Sequence, residues 1–291
     1  MKRAGARALI ALIEWTARWS PRARARLGNV CGDLLWWFAW PRRRIALVNL
    51  ALCFPEKSAA ERAAIGRRTL RNLARAFVDH GVLARASREA LANFVRVEGA
   101  EHLTDPANRP LIVVAPHFAG LDAGGVRMNT FARGVSIYAR NRNAEWDRWL
   151  LAIRNRFNEP LLIAREGLDL RAVVRALKEG LPLYYLPDQD PGERNGVFAP
   201  FFGVPAATLP MVARLAALTG AKVMMCVTEM RADGYVVHLE APWRDFPSGD
   251  IVADTARMNA EIERWVRRLP DQYLWTHKRF KTRPDGAPPP Y

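Results

Sequence analysis

The chain is poor in the residue types on which several familiar chemistries depend. Its 291 residues include three cysteines, Cys31, Cys53 and Cys226, with no short C-x-x-C spacing among them. A disulfide framework or structural zinc site is therefore not expected, and a reducing compartment fits better. There are only five serines, and none stands in a G-x-S-x-G elbow, so hydrolysis by a serine nucleophile has no motif to rest on. A P-loop and a G-x-G-x-x-G after a strand are both missing, and the five histidines are scattered. Neither a nucleotide cofactor nor a metal is expected. The chain also lacks an internal repeat, a signal-peptide cleavage site after an apolar run, and the roughly 20 apolar residues that a membrane span needs. Residues 4–19 are broken by Arg7, Glu14 and Arg18, and residues 27–40 are too short and enclose Asp33.

Half of the residues are apolar, enough for a substantial core and too many for a disordered or collagen-like chain. Basic residues outnumber acidic ones by 44 to 29, and the excess is concentrated early: residues 1–100 hold 19 Lys and Arg against seven Asp and Glu. Five of the ten tryptophans, Trp15, Trp19, Trp36, Trp37 and Trp40, fall in the same stretch. Arginine interleaved with tryptophan suits an anionic bilayer surface, where indoles settle at headgroup level and guanidinium groups meet phosphates. The plainer alternative is a basic helix whose aromatics enter the core. Nucleic acid is not expected as a partner, because no nucleic-acid-binding motif accompanies the charge.

The pattern along the chain is helical to about residue 94, punctuated by Pro21, Pro41 and Pro55, with a capping box at Ser58 and Glu61. Short apolar strands then alternate with helices. Strands are predicted at 95–97, 111–115, 135–138, 161–163 and 183–186, with helices at 146–157 and 168–178. This implies an α/β fold: a mostly parallel central sheet flanked by helices. A long loop is predicted at 187–205, followed by a helix capped by Thr208 and closed by Gly220. An antiparallel strand pair at 222–229 and 235–239 and a last helix at 251–268 complete the pattern. Three parts are expected: a helical membrane-interface arm at 1–57, with a single span as the alternative; an α/β domain at 58–284; and a loose Pro-rich tail at 285–291.

The strongest chemical signal lies beyond the strand at 111–115. His117 stands just past its carboxyl end, where open α/β sheets place their sites, and Asp122 follows five residues later after Gly120. That spacing allows the Asp122 carboxylate to fold back onto the imidazole and fix its tautomer, leaving the other nitrogen to take a proton from a hydroxyl.

An H-x-x-x-x-D after an apolar strand resembles the signature of glycerolipid-type acyltransferases. Further blocks narrow the likeness: Asn49-Leu-Ala-Leu-Cys-Phe-Pro-Glu56, Leu186-Pro-Asp188-Gln-Asp190, Phe201-Phe-Gly203 with Ala207-Thr208, and the run from Gln272 to Pro284. In this order they resemble the late acyltransferases of lipid A biosynthesis, from about residue 5 to 284. The resemblance implies transfer of an acyl chain from acyl carrier protein to a hydroxyl on an acyl chain of a glycolipid acceptor, at the cytoplasmic face of the inner membrane. His117 matches the family's general base, and Asp122 stands where many relatives carry Glu. Arg154 or Arg156 matches a family arginine, and Asp188 the carboxylate of the P-D-x-D block, next to Gln189. The arginine is expected to stabilise an oxyanion or hold an acceptor phosphate. Arg140, Arg165 and Lys278 are further candidate contacts to an anionic acceptor or an acidic carrier.

Each of these has a plainer reading. The arginines can be surface residues of amphipathic helices, Asp188 can cap a turn, and Arg165 can merely precede a helix. His277 reads as a structural or phosphate contact, and His80, His102 and His238 as structural. Two other functions stay open at this point: an acyltransferase of the same fold acting on a lysophospholipid or another glycolipid, and an inert basic membrane-binding protein.

Overall fold

The computed structural model describes residues 3–192, 195–284 and 286–291. Glu193 and Arg194 of the expected loop and Asp285 of the expected tail lie outside the described residues. The centre is a seven-stranded sheet in the order β1-β9-β8-β2-β5-β3-β4. Its strands are β1 (Val95–Glu98), β2 (Leu111–Val114), β3 (Val135–Tyr138), β4 (Leu161–Ala164), β5 (Leu183–Tyr185), β8 (Lys222–Met230) and β9 (Tyr235–Leu239). Neighbours run parallel except at β8 and β9, whose antiparallel pairing turns β9 and β1 against the other five.

Strand composition explains the layering. In β2, Ile112 and Val114 face one apolar cluster and Leu111 and Val113 the other, so every side chain is buried and the alternation seen in half-exposed strands is missing. Helices α9 (Leu170–Lys178), α10 (Met211–Thr219) and α11 (Ile251–Arg268) cover the first face. The second face is covered by α1 (Arg3–Thr16), α4 (Ala59–Arg85), α5 (Arg88–Phe94), α6 (Ala100–Thr104), α7 (Leu121–Met128) and α8 (Ala144–Arg154). The expected capping box is present at the start of α4: Ser58 Oγ accepts from the Glu61 N–H, and Glu61 accepts from the Ser58 N–H at 2.8 Å.

Three expectations need correction. The segment expected as a helical membrane-interface arm at 1–57 is, over residues 3–57, packed onto the α/β domain. Helix α2 (Pro21–Phe38) lies against α4 so closely that a Cβ on Gly28 or Gly32 would stand 2.6 or 2.3 Å from the α4 backbone. Arg24 forms a buried 2.7 Å ion pair with Asp79, and α3 (Trp40–Cys53) sends Ala46, Leu50 and Cys53 into the same core as the sheet. Second, the loop expected at 187–205 ends in a hairpin of β6 (Val197–Phe201) and β7 (Val204–Thr208). Pro200 and Pro205 disguise it. The turn is the two-residue kind with positive φ at both central positions, Phe202 at 53° and Gly203 at 72°. Thr208 therefore ends a strand instead of capping α10, and its hydroxyl binds Arg279 and Asn259. Third, the tail does not hang free at its end. The Tyr291 hydroxyl donates to Asn49 and accepts from the Phe280 N–H. Among the described residues, no helix is long and apolar enough to cross a membrane.

Candidate active site

The site lies where the two central parallel strands end. β2 and β5 are hydrogen-bonded neighbours, and the ladder continues one step past β2 through the Ala115 N–H to Tyr185 O, 2.8 Å. His117 is the third residue beyond β2 and Asp188 the third beyond β5, so the shared register brings them together. The segment after α11 straps the histidine loop from the other side. The Leu274 N–H donates to His117 O at 2.9 Å and the Ala119 N–H to Gln272 O at 2.7 Å. The turn after His117 is tight at Gly120, where a Cβ would stand 2.7 Å from the carbonyl oxygen of Thr228.

Asp188 holds the histidine by two bonds. His117 Nδ1 donates to Oδ1 at 2.6 Å, and the His117 backbone N–H donates to Oδ2 at 2.9 Å. Burial alone would raise the Asp188 carboxyl. The His117 charge and both hydrogen bonds, with help from Arg279, outweigh burial and bring its pKa down to about 2. An Nδ1–H directed at a carboxylate leaves Nε2 of the neutral ring as an acceptor, and the Gln189 amide N–H lies 3.1 Å from it. The ring is thus held in the form that can accept a proton at Nε2.

The carboxylate on His117 is therefore Asp188, and the expected fold-back of Asp122 does not occur. Asp122 sits in the first turn of α7 and is engaged elsewhere: Arg154 donates to its Oδ1 from Nε and Nη2 at 3.3 and 2.9 Å, and His80 Nε2 lies 3.2 Å from its Oδ2. Burial pushes this carboxyl up, but Arg154 and His80 more than offset it and keep it well below the usual carboxylate range.

A cleft of about 960 Å³ opens at this point. His117, Asp122, Arg154, Arg165 and Gln189 line it, with an apolar wall that includes Val126, Ile137, Leu162 and Leu168. A hydrocarbon chain fits such a wall, and a polar reacting group fits the charged end. Arg140, Arg156 and Lys278 do not line it. Arg156 follows Arg154 by two residues, a spacing that cannot share a helix face, and its guanidinium caps the end of α4 at the carbonyls of Leu83 and Ala86. Arg140 is exposed beside Glu166, and Lys278 is exposed over the Tyr291 ring. His277 Nε2 accepts from the Asp190 N–H at 3.2 Å, and burial lowers its pKa, as suits a neutral structural ring. Asp190 accepts from Gly192 and from both the N–H and hydroxyl of Thr282, which fixes the loop carrying Asp188 and Gln189. Sequence reasoning missed His80. Its one signal is that it continues the α4 stripe of Leu73 and Phe77 at spacings of four and three, an odd place for a polar ring.

The family model for bacterial lipid A biosynthesis acyltransferases matches residues 2–282. The chain belongs to this family. It is 34% identical over 272 residues to the lipid A biosynthesis lauroyltransferase of Escherichia coli (strain K12), which covers 91% of this chain and 88% of that protein. The palmitoleoyltransferase of the same organism is also 34% identical, covering 89% and 85%, and its myristoyltransferase 31%, covering 92% and 82%. Among solved structures, the 1-acyl-sn-glycerophosphate acyltransferase of Thermotoga maritima matches 87% of this chain and 99% of its own at 15% identity and a TM-score of 0.38. As a member of the lipid A biosynthesis family the protein is an acyltransferase, which sets aside the inert membrane-binding alternative.

Proposed function

We propose that this acyltransferase moves a fatty acyl chain from the thioester of acyl carrier protein to a hydroxyl on an acyl chain of a lipid A precursor, with His117 as general base. The observation that carries the reading is the His117–Asp188 pair, which turns an acceptor Nε2 toward a cleft with an apolar wall. In the reaction, the acceptor hydroxyl displaces the Gln189 amide from Nε2 and gives up its proton there as its oxygen attacks the thioester carbon. Negative charge develops on the carbonyl oxygen, and Arg154, fixed along one edge by Asp122, donates to it. The C–S bond then breaks, and the departing thiolate takes the proton from the imidazolium. Asp188 keeps the proton on Nδ1 throughout and stabilises the imidazolium while it exists.

The acceptor is held in a membrane, and the amino-terminal helices have the surface for one. Trp15, Trp37, Phe38 and Trp40 are 49%, 63%, 82% and 61% exposed on α1, α2 and the start of α3, and Arg43 and Arg44 lie over the neighbouring Trp36 and Trp40 rings. Exposed aromatics with arginines among them suit burial at headgroup level of the inner membrane, on its cytoplasmic face.

The test is transfer by purified protein from acyl carrier protein thioesters to a Kdo-bearing tetra-acylated precursor in mixed micelles, followed by mass spectrometry of the product. One added ester-linked acyl chain is expected. Acylation of a lysophospholipid instead, or transfer from acyl-CoA but not from the carrier protein, would contradict the reading.

A further inference from the structure

Both ring nitrogens of His80 face oxygen acceptors. Nδ1 lies 2.9 Å from the carbonyl of Ala76, one turn back on α4, and Nε2 lies 3.2 Å from Oδ2 of Asp122. A neutral imidazole has one N–H and one lone pair, so either neutral tautomer sets a lone pair against an oxygen. Only the imidazolium satisfies both contacts. The ring is buried beside Phe77 and Trp149, with ring centroids 6.1 and 5.9 Å away. Burial pushes its pKa down, but Asp122 and the Ala76 carbonyl outweigh burial and the opposing charge of Arg154, and the net shift is upward. The other charged groups on the packed elements are engaged elsewhere. Glu14 of α1 binds Arg85 and the Trp149 indole, Asp79 binds Arg24, Arg75 and the Tyr235 hydroxyl, and Asp147 of α8 accepts from the Asn141 N–H.

We propose that His80 is a positioning residue that stays cationic in the working enzyme, binding one oxygen of Asp122 so that the other holds the Arg154 guanidinium against the cleft. When His80 loses its proton, the lone-pair mismatch loosens Asp122, and Arg154 loses the partner that orients it. The catalytic consequence rests on the proposed role of Arg154; the protonation state of His80 does not. The pH profile then has an alkaline limit set by loss of the His80 proton.

The deciding experiment is an NMR titration of the full-length protein labelled with ¹⁵N-histidine, in detergent, with His80 assigned by its loss in His80→Gln. His80 should carry protons on both nitrogens at neutral pH and titrate above the ordinary value of about 6.5. In Asp122→Asn its midpoint should fall. A neutral His80 at pH 7, or a midpoint that ignores Asp122→Asn, overturns the proposal. Kinetics supply the second arm. His80→Gln keeps an N–H for Asp122 without titrating, so it should retain activity within about threefold and lose the alkaline limb. His80→Leu should lower kcat/KM about 10- to 100-fold, the equivalent of one charged hydrogen bond. An alkaline limb unchanged in His80→Gln also counts against the proposal. Should the protein fail to acylate the lipid A precursor at all, the proposed function falls while the titration still decides the state of His80.

Discussion

Replacing Asp188 with Asn separates the two carboxylates near His117 more cleanly than any other change. Asp188 accepts from two donors of one residue, Nδ1–H at 2.6 Å and the backbone N–H at 2.9 Å. An asparagine has one carbonyl oxygen, so it can satisfy one of them. With its oxygen on the backbone N–H, its amide N–H meets Nδ1 and forces the proton to Nε2, which then cannot take one from the acceptor hydroxyl. The expected loss is that of general-base catalysis, about 10²- to 10⁴-fold in kcat, or about 3 to 5 kcal/mol in the barrier. The fold should weaken as well. A buried carboxyl held at about pKa 2 when folded, below its ordinary unfolded value, contributes stability to the fold. Because the folded value is the lower one, this contribution is complete above about pH 4 and is lost as the pH falls through about 2. Initial rates with acyl carrier protein thioester, urea melts between pH 2 and 7, and ¹⁵N shifts of His117 check the three parts. Asp122→Asn, by contrast, should leave the His117 tautomer unchanged. An Asp188→Asn rate within about threefold of wild type, or a tautomer switched by Asp122→Asn and not by Asp188→Asn, would show that Asp188 does not orient His117.

Arg154→Lys should lower the transfer rate by at least about tenfold with little change in the urea midpoint, since a lysine cannot hold Asp122 with two bonds and still reach the reacting oxygen. Arg156→Lys should do the reverse, keeping the rate and lowering stability, because its guanidinium closes the end of α4. Arg24→Met removes the shorter of the two arginine contacts to the buried Asp79 carboxylate, leaving Arg75 and the Tyr235 hydroxyl, and should cost about 1.5 to 3 kcal/mol by urea denaturation, whereas activity per folded molecule stays level. The triple change Trp37→Ser, Phe38→Ser, Trp40→Ser should weaken co-sedimentation with anionic vesicles by well over tenfold, given about 1.5 to 3 kcal/mol for each fully buried large apolar side chain. Unchanged sedimentation would place the membrane contact elsewhere.

Much of this arrangement was legible in the sequence, and the rest was hidden for physical reasons. The central strands could be found because β2 and β5 are short apolar runs bounded by proline and glycine, and the site followed from the rule that open sheets react at their carboxyl ends. The partner of His117 could not be chosen by spacing. Asp122, five residues away, is nearer in the chain, but it starts a helix that turns its carboxylate toward Arg154 and His80. Asp188, 71 residues away, arrives through the β2–β5 register, which only tertiary structure supplies. The β6–β7 hairpin was masked by Pro200, Pro205 and Gly203, residue types that interrupt a strand pattern. The amino-terminal helices carried a membrane-like composition on one side, but the glycines and the Arg24–Asp79 pair that lock them onto α4 show no periodicity to distinguish a packed helix from a free arm.

Whether His117 drives acylation of a lipid A precursor is read from mass spectrometry of lipid A from cells whose only copy of this protein is wild type or His117→Ala. Lipid A from the variant should lack the mass of one secondary acyl chain while the variant protein accumulates, folded, to the wild-type level. Lipid A of identical mass from both strains would contradict that role of His117.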